Sequence, residues 1–150
     1  MVKRVYIDSS VIGGKYDPEF QEPTEKLFRE FRLGLYIPVV SRITADEVGN
    51  APHHIVRVYD DLVEIGEIIE VTEEAVRLSG LYLKESKFSR RMLADTLHIA
   101  TATVHRVDIV VSWNFRDIVN LNKIIIYNAV NLKQGYHHIE IRNPQEILHD

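Results

Sequence analysis

The sequence contains no cysteine among its 150 residues. This absence excludes a disulfide, a thiolate zinc site and a cysteine nucleophile, so any bound metal must rely on oxygen or imidazole ligands. No apolar run approaches the roughly 18 residues that span a bilayer, and the first four residues lead into a strand rather than into the core of a signal peptide. We therefore expect a cytoplasmic protein with no membrane contact.

An excess of positive charge is also missing. The chain has 18 basic and 22 acidic residues and a formal net charge of −4, which is not the balance of a protein that coats nucleic acid non-specifically. Local charges still matter, because two groups of basic residues lie near the later acids. Lys87, Arg90 and Arg91 lie just upstream of Asp95, and Arg106, Arg116 and Lys123 lie near Asp117. Such cations could hold phosphates near a metal, or they could be surface charges that balance acidic neighbours, and the sequence leaves both interpretations open.

The order of the segments predicts the fold class. Hydrophobic residues make up 45% of the chain and charged residues 27%, which is ordinary for a single globular domain, here residues 1–150. Strand-like and helix-like segments alternate, which predicts an α/β fold with a mainly parallel central sheet flanked by helices on both faces. Strands are predicted at residues 5–7, 35–40, 68–69, 109–111, 124–127 and 139–141, and helices at 24–33, 41–48, 52–63, 72–82, 92–105 and directly after 143.

Four acidic residues in separate segments lie beside or just past apolar runs. Asp8 ends the first predicted strand, Glu47 lies in the helix after the second, Asp95 begins a later helix, and Asp117 follows the strand at 109–111. In open α/β sheets, ligand sites gather at the carboxyl edge of the strands. An alternative for Asp8 is that it only caps the next helix, because Asp is a preferred N-cap residue.

A cluster of these carboxylates would suit one kind of chemistry. Hydrolysis of a phosphodiester requires an activated water and stabilised charge on the leaving oxygen, and divalent ions held by carboxylates supply both. Carboxylates favour Mg²⁺ or Mn²⁺, and a cation relieves the repulsion among crowded acids. Spacing alone is a weak argument, because a protein with 22 acidic residues offers many accidental sets.

Four ordered motifs make the interpretation more specific, because together they resemble a PIN-domain nuclease, in particular the VapC-like toxins of type II toxin–antitoxin pairs. The resemblance covers nearly the whole chain and implies a single PIN-like domain with the activity of a metal-dependent endoribonuclease that acts on RNA. The motifs are Tyr6-Ile7-Asp8-Ser9-Ser10-Val11, Thr44-Ala45-Asp46-Glu47, Ala94-Asp95-Thr96-Leu97-His98-Ile99-Ala100 and Val111-Ser112-Trp113-Asn114-Phe115-Arg116-Asp117.

The resemblance implies which acids bind the metal. Asp8, Glu47 and Asp95 match the three principal acidic positions of the family, and Asp117 matches a fourth position that varies among its members. We prefer Glu47 to its neighbour Asp46, since adjacent residues on a helix point about 100° apart. The expected cofactor is Mg²⁺ or Mn²⁺.

Further residues near the four acids have supporting or undecided roles. Ser10 and Ser112 match small hydroxyl positions that support the metal and its waters, whereas Asn114 stands where many PIN domains have an acid. His98 could be a ligand or a general base, but we favour a packed or hydrogen-bonded helix histidine. Trp113 could stack on a base, and we favour core packing slightly.

The resemblance also implies partners. These are an RNA substrate, a cognate antitoxin protein, and a second copy of the chain in a homodimer, for which apolar helical faces around Leu62 and Leu81 could supply the interface. The alternative is a catalytically degenerate PIN-fold module that binds RNA or a partner, which Asn114 and the negative net charge favour. A small-molecule phosphohydrolase is disfavoured, because Asp8-Ser9-Ser10 lacks the second acid of an Asp-x-Asp pair.

Overall fold

A five-stranded, all-parallel sheet forms the centre of the protein, whose computed structural model describes residues 1–149. The strands lie in the order β3-β2-β1-β4-β5, so the first strand is central and is flanked by the second and the fourth. The predicted α/β class with a mainly parallel sheet is confirmed. The strands are β1 Lys3–Ile7, β2 Tyr36–Ser41, β3 Glu67–Ile69, β4 Ile109–Val111 and β5 Glu140–Arg142.

Helices connect successive strands and cover both faces of the sheet. Local capping signals in the sequence set several of their ends: the Thr72 hydroxyl accepts a hydrogen bond from the Ala75 amide, and Asn143 and Glu146 form a reciprocal capping box. The helices are α1 Ser9–Gly14, α2 Gln21–Arg32, α3 Arg42–Val48, α4 His53–Ile65, α5 Glu73–Ser86, α6 Leu93–Val104 and α7 Leu121–Lys133, with 3₁₀ turns at Arg90–Met92 and Pro144–Ile147.

The central strand contributes to both halves of the hydrophobic core. Because side chains alternate along a strand, Val5 and Ile7 pack with α1, α2 and α4, whereas Tyr6 packs with α5, α6 and α7. All three residues are fully buried. This double coverage explains why a parallel central strand is an unbroken apolar run, and it leaves the carboxyl end of the strand as the place where polar residues can emerge.

The predicted strand at residues 124–127 is wrong, because these residues lie inside α7. The Asn120 side chain caps this helix by accepting a hydrogen bond from the Lys123 amide. Tyr127 and Val130 face the core, while Ile125 is exposed, which is the spacing of a helix with one buried face. The β-branched residues of this segment favour a strand locally, but burial of one helical face decides the structure.

Leu62 cannot supply the predicted homodimer interface, because its side chain is buried within the domain. It packs in the core cluster that contains Phe28 and Val58. Leu81 is partly buried against the other cluster. No helix within residues 1–149 combines the length and the apolar content that crossing a membrane requires.

Candidate active site

The four predicted acids lie at or beyond the carboxyl ends of the three middle strands. Asp8 follows β1 directly, Glu47 is carried by α3 immediately after β2, and Asp117 lies in the loop after β4. Asp95 is in the first turn of α6. We call Asp8, Glu47, Asp95 and Asp117 the acidic centre.

Asp8 is held by two serine hydroxyls. Ser10 Oγ donates to Asp8 Oδ1 and Ser112 Oγ donates to Asp8 Oδ2, both at 2.6 Å. The Val11 amide also donates to Oδ1, so Asp8 is the N-cap of α1. The capping interpretation and the site interpretation of Asp8 are therefore compatible. Burial raises the pKa of Asp8, although the hydrogen bonds from the two serines oppose this rise.

Asn114 connects Asp8 to Asp95. The Asn114 backbone N–H donates to Ser112 Oγ at 2.9 Å, and its side-chain Nδ2 donates to Asp95 Oδ1 at 3.3 Å. Its side-chain oxygen accepts from the backbone amide of Asp117 at 3.0 Å. Asn114 stands where the family resemblance implies an acid. It orients the Asp95 carboxylate and helps to shape the loop that carries Asp117.

The electrostatics of Asp95 show that the acids act on one another. Burial, together with the negative charges of Asp117, Asp8 and Glu47, raises the pKa of Asp95 to about 6. A bound cation would relieve this repulsion and favour the ionised form. The site therefore has the charge arrangement of a cation-binding centre.

Glu47 joins the centre through a buried histidine. His98 Nε2 lies 2.7 Å from Glu47 Oε1, and the imidazole ring is 1% exposed. Burial would raise the pKa of Glu47, but hydrogen bonds from His98 and Ser9 outweigh it, so the net shift is downward. Glu47 consequently stays ionised, and its histidine partner places it toward α6 and Asp95.

Asp117 differs from the other three acids because two cations neutralise it. Arg91 Nη1 donates to Asp117 Oδ2 at 2.6 Å, and Lys123 Nζ donates to Oδ1 at 2.6 Å. Burial would raise the pKa of Asp117, but these partners lower it below its ordinary value. Of the two interpretations of the neighbouring cations, the structure supports charge balance, with Arg91 and Lys123 paired to an acidic neighbour.

The donor set fits a hard cation only in part. Within residues 1–149, no three His, Asp or Glu side chains form a group that could enclose a metal ion. Mg²⁺ seldom needs such an enclosure, because it keeps several waters and commonly binds one or two carboxylates together with substrate phosphates. Asp8 and Asp95, whose oxygens accept hydrogen bonds from neutral serine and asparagine groups, are the carboxylates suited to that role.

Trp113 is a packing residue, as favoured from the sequence. Its ring stacks on Phe20 with centroids 4.2 Å apart, and its Nε1 donates to Thr24 Oγ1 at 2.9 Å. The close approach requires a glycine at position 14, where a Cβ atom would lie within 3.0 Å of Thr24 and Trp113 atoms. The indole therefore packs against both α1 and α2.

Sequence reasoning missed Tyr6, whose hydroxyl contacts the His98 ring, and Ser41, whose hydroxyl contacts that of Tyr6. Tyr6 lies in β1 and Ser41 ends the neighbouring strand β2. The only available signal was positional: in adjacent parallel strands, a polar residue at the end of one lies near the polar residues at the end of the other.

Comparison with known proteins supports the fold assignment. The chain matches no protein-family model and no curated protein. FitAcB from Neisseria gonorrhoeae is similar with a TM-score of 0.61 and 16% identity, covering 95% of this chain and 99% of that one. DNA-bound VapBC from Salmonella typhimurium has a TM-score of 0.58 and 18% identity, covering 96% and 99%.

A third similar structure is VapC20 from Mycobacterium tuberculosis, described as a toxin that cleaves the sarcin-ricin loop. Its TM-score is 0.58 at 10% identity, with 91% of this chain and 98% of that chain covered. The protein therefore has the fold of VapC-like PIN-domain toxins, as the motifs predicted. At these identities, the comparisons establish the fold alone.

Proposed function

We propose that the protein is a divalent-metal-dependent endoribonuclease that hydrolyses RNA phosphodiesters, and that it is the toxin of a toxin–antitoxin pair. The observation that carries the proposal is the linked arrangement of Asp8, Asp95 and Glu47 at the carboxyl edge of a PIN-like sheet. Hydrogen bonds connect Asp8 to Asp95 through Ser112 and Asn114. The fold shared with VapC20, described as a sarcin-ricin loop cleaving toxin, supports the same class of reaction.

Asp8 and Asp95 would hold the Mg²⁺ or Mn²⁺ ion, with Glu47 as the third carboxylate and Asp117 as a weaker fourth. When bound, the ion supplies a water nucleophile at neutral pH and stabilises negative charge on the phosphate oxygens. Ser10 and Ser112 keep both oxygens of Asp8 oriented. Asn114 orients Asp95 by donating its side-chain N–H.

The ion pairs of Asp117 explain its weaker role. Arg91 and Lys123 occupy both of its oxygens, so binding an ion there would require one pair to rearrange. Their positive charges lie beside the acidic centre, where they would reduce its repulsion toward a polyanionic RNA strand.

The expected protein partners are an antitoxin and a second copy of the chain. The similar structures from Neisseria gonorrhoeae and Salmonella typhimurium contain FitAcB and DNA-bound VapBC, which supports an antitoxin partner for this chain. An antitoxin that inhibits the enzyme would cover the acidic centre.

The test combines metal binding with RNA cleavage. Metal-stripped protein is titrated calorimetrically with Mn²⁺ and then incubated with single-stranded RNA in Mn²⁺ or Mg²⁺. Asp8→Asn and Asp95→Asn are expected to lose Mn²⁺ binding and at least about 100-fold in cleavage, since each removes a charged ligand. Asp117→Asn is expected to lose less affinity than either. Asp46→Asn, which changes an exposed acid beside Glu47, is the matched control and is expected to behave as wild type.

A second candidate is a degenerate module that binds RNA or a protein partner without cleaving. It is favoured by Asn114 in an acidic position of the family and by the cations that neutralise Asp117. Folded wild-type protein that binds RNA, binds no Mn²⁺ and leaves the RNA intact would support this candidate. Cleavage that Asp8→Asn and Asp95→Asn leave unaltered would refute the assigned site.

A further inference from the structure

His98 is a buried titratable side chain whose ring contacts the Glu47 carboxylate of the acidic centre. It lies three residues after Asp95 in α6, so both residues lie on nearly the same face of this helix. Its Nδ1 is 2.6 Å from the Tyr6 hydroxyl and its Nε2 is 2.7 Å from Glu47 Oε1. Both ring nitrogens therefore have partners, which leaves neither free to bind a metal or to exchange a proton with substrate.

Hydrogen bonds connect His98 to residues on both sides of its ring. An ionised carboxylate only accepts, so the His98 Nε2–H donates to Glu47. On the other side of the ring, Nδ1 shares a hydrogen bond with the Tyr6 hydroxyl, which shares a second one with Ser41 Oγ, 2.7 Å away. Ser41 Oγ also accepts from the Ile43 amide at the start of α3.

The chain of contacts connects two adjacent strands of the sheet to two helices. Tyr6 belongs to β1, Ser41 ends β2, Glu47 belongs to α3 and His98 to α6. The side chain of Glu47 is 32% exposed, so without the histidine it could turn to solvent. The helix α3 has only seven residues, and the hydrogen bond from His98 of α6, together with one from Ser9, holds its acid.

We propose that His98 is a positioning residue that holds the Glu47 carboxylate in place for the metal ion. Tyr6 and Ser41 hold the ring in turn, through contacts that keep Nε2 directed at Glu47. This role rests on the proposed metal-dependent function, because it concerns the third carboxylate of the same centre. Partners of this kind orient the ligands of a metal, and removing one typically costs about 10- to 100-fold in metal affinity.

The first experiment examines the metal-free protein. In protein labelled with ¹⁵N at histidine, the Nε2 resonance of His98 is expected to be that of a protonated nitrogen, because Nε2 donates to Glu47. Glu47→Gln should shift the Nε2 resonance strongly, whereas Asp46→Asn should leave it unchanged. If the Nε2 resonance of His98 does not change in Glu47→Gln, the proposal is overturned whether or not the protein binds metal.

The second experiment measures Mn²⁺ affinity by calorimetry. His98→Phe is expected to weaken binding by about 10- to 100-fold, and His98→Gln, which keeps an N–H donor of similar reach, to recover most of it. His105→Gln is the matched control, because His105 follows the same helix and bonds the backbone oxygen of Glu70. Circular dichroism checks that each variant folds.

A double-mutant cycle separates positioning from general packing. If His98 acts through Glu47, then His98→Phe should have little further effect on Mn²⁺ affinity once Glu47 is Gln. Losses that add would show that His98 acts independently of Glu47 and would contradict the proposal. Wild-type protein that binds no Mn²⁺ would contradict the proposed function and any role of His98 toward a metal, even where the ¹⁵N experiment finds the contact itself intact.

Discussion

Asp95 bears a larger electrostatic penalty than an exposed aspartate, because it is partly buried beside three other acids. These surroundings raise its pKa to about 6. Since the folded state holds the proton more tightly than the unfolded chain, ionising Asp95 destabilises the metal-free protein. Residues that repel one another in this way are retained where binding needs them, at some cost in stability.

The first residue-scale prediction is that Asp95→Asn stabilises the metal-free protein at pH 7. The unfolded-state pKa of an aspartate is about 3.9, so the wild type loses the corresponding stability as the pH rises from about 4 through 6. The rise in the pKa of Asp95 on folding corresponds to roughly 1 to 3 kcal/mol in the free energy of unfolding. Urea denaturation at pH 7 and at pH 4 measures it.

The comparison of the two pH values is the internal control for Asp95→Asn. At pH 4 the wild-type carboxyl is largely protonated, so the advantage of the amide should shrink. Asp46→Asn, which removes an exposed acid, should show no such pH-dependent gain. Equal stability of wild type and Asp95→Asn at pH 7 would mean that Asp95 does not experience the repulsion of its neighbours.

At the residue scale, the acids could be predicted but their partners could not. Asp8 ends an apolar run and its serine partner Ser10 is two residues away, so both were accessible from local pattern and family motif. The contact between His98 and Glu47 joins residues 51 positions apart, and it depends on how α3 packs against α6. The ion pairs of Asp117 have the same origin, because a nearby charge in sequence does not reveal which acid it neutralises.

At the scale of elements, local signals predicted boundaries well wherever a side chain caps a helix. The helices predicted at 72–82 and directly after 143 begin at residues that favour N-caps, and the Thr72 and Asn143 side chains make the capping hydrogen bonds. The helix α7 was misassigned because its β-branched run outweighed two weaker signals. These signals are the Asn120 cap and the helical spacing of Tyr127 and Val130, which become decisive only when one face is buried.

The element-scale prediction concerns the Asn120 cap. Asn120→Ala removes the hydrogen bond to the Lys123 amide and is expected to lower the free energy of unfolding by about 1 kcal/mol. Asn122→Ala is the matched control, since Asn122 is an exposed residue of the same helix and alanine has the higher helix propensity. Chemical denaturation measures the free energy of unfolding of both variants. Equal changes in the two would show that Asn120 does not cap α7.

At the scale of the whole molecule, α7 presents an apolar surface that the domain itself does not cover. Leu121, Ile125 and Leu132 are 74%, 57% and 79% exposed. Their spacing of four and seven residues places them on one face of the helix. Exposed apolar patches of this kind commonly mark protein interaction sites, and the α7 face replaces the buried Leu62 as the surface on which to test the expected homodimer.

The last prediction is that the protein is a dimer at micromolar concentration and that Ile125→Glu makes it monomeric. A specific interface buries about 800 Å² per partner, for which the α7 face would supply the apolar centre, and a buried unpaired carboxylate there would be strongly unfavourable. Val76→Glu, at an exposed apolar position on α5, is the matched control and should leave the dimer intact. Sedimentation equilibrium gives the mass of each variant. A monomeric wild type would contradict the predicted dimer and would leave the α7 face as a site for a different partner chain.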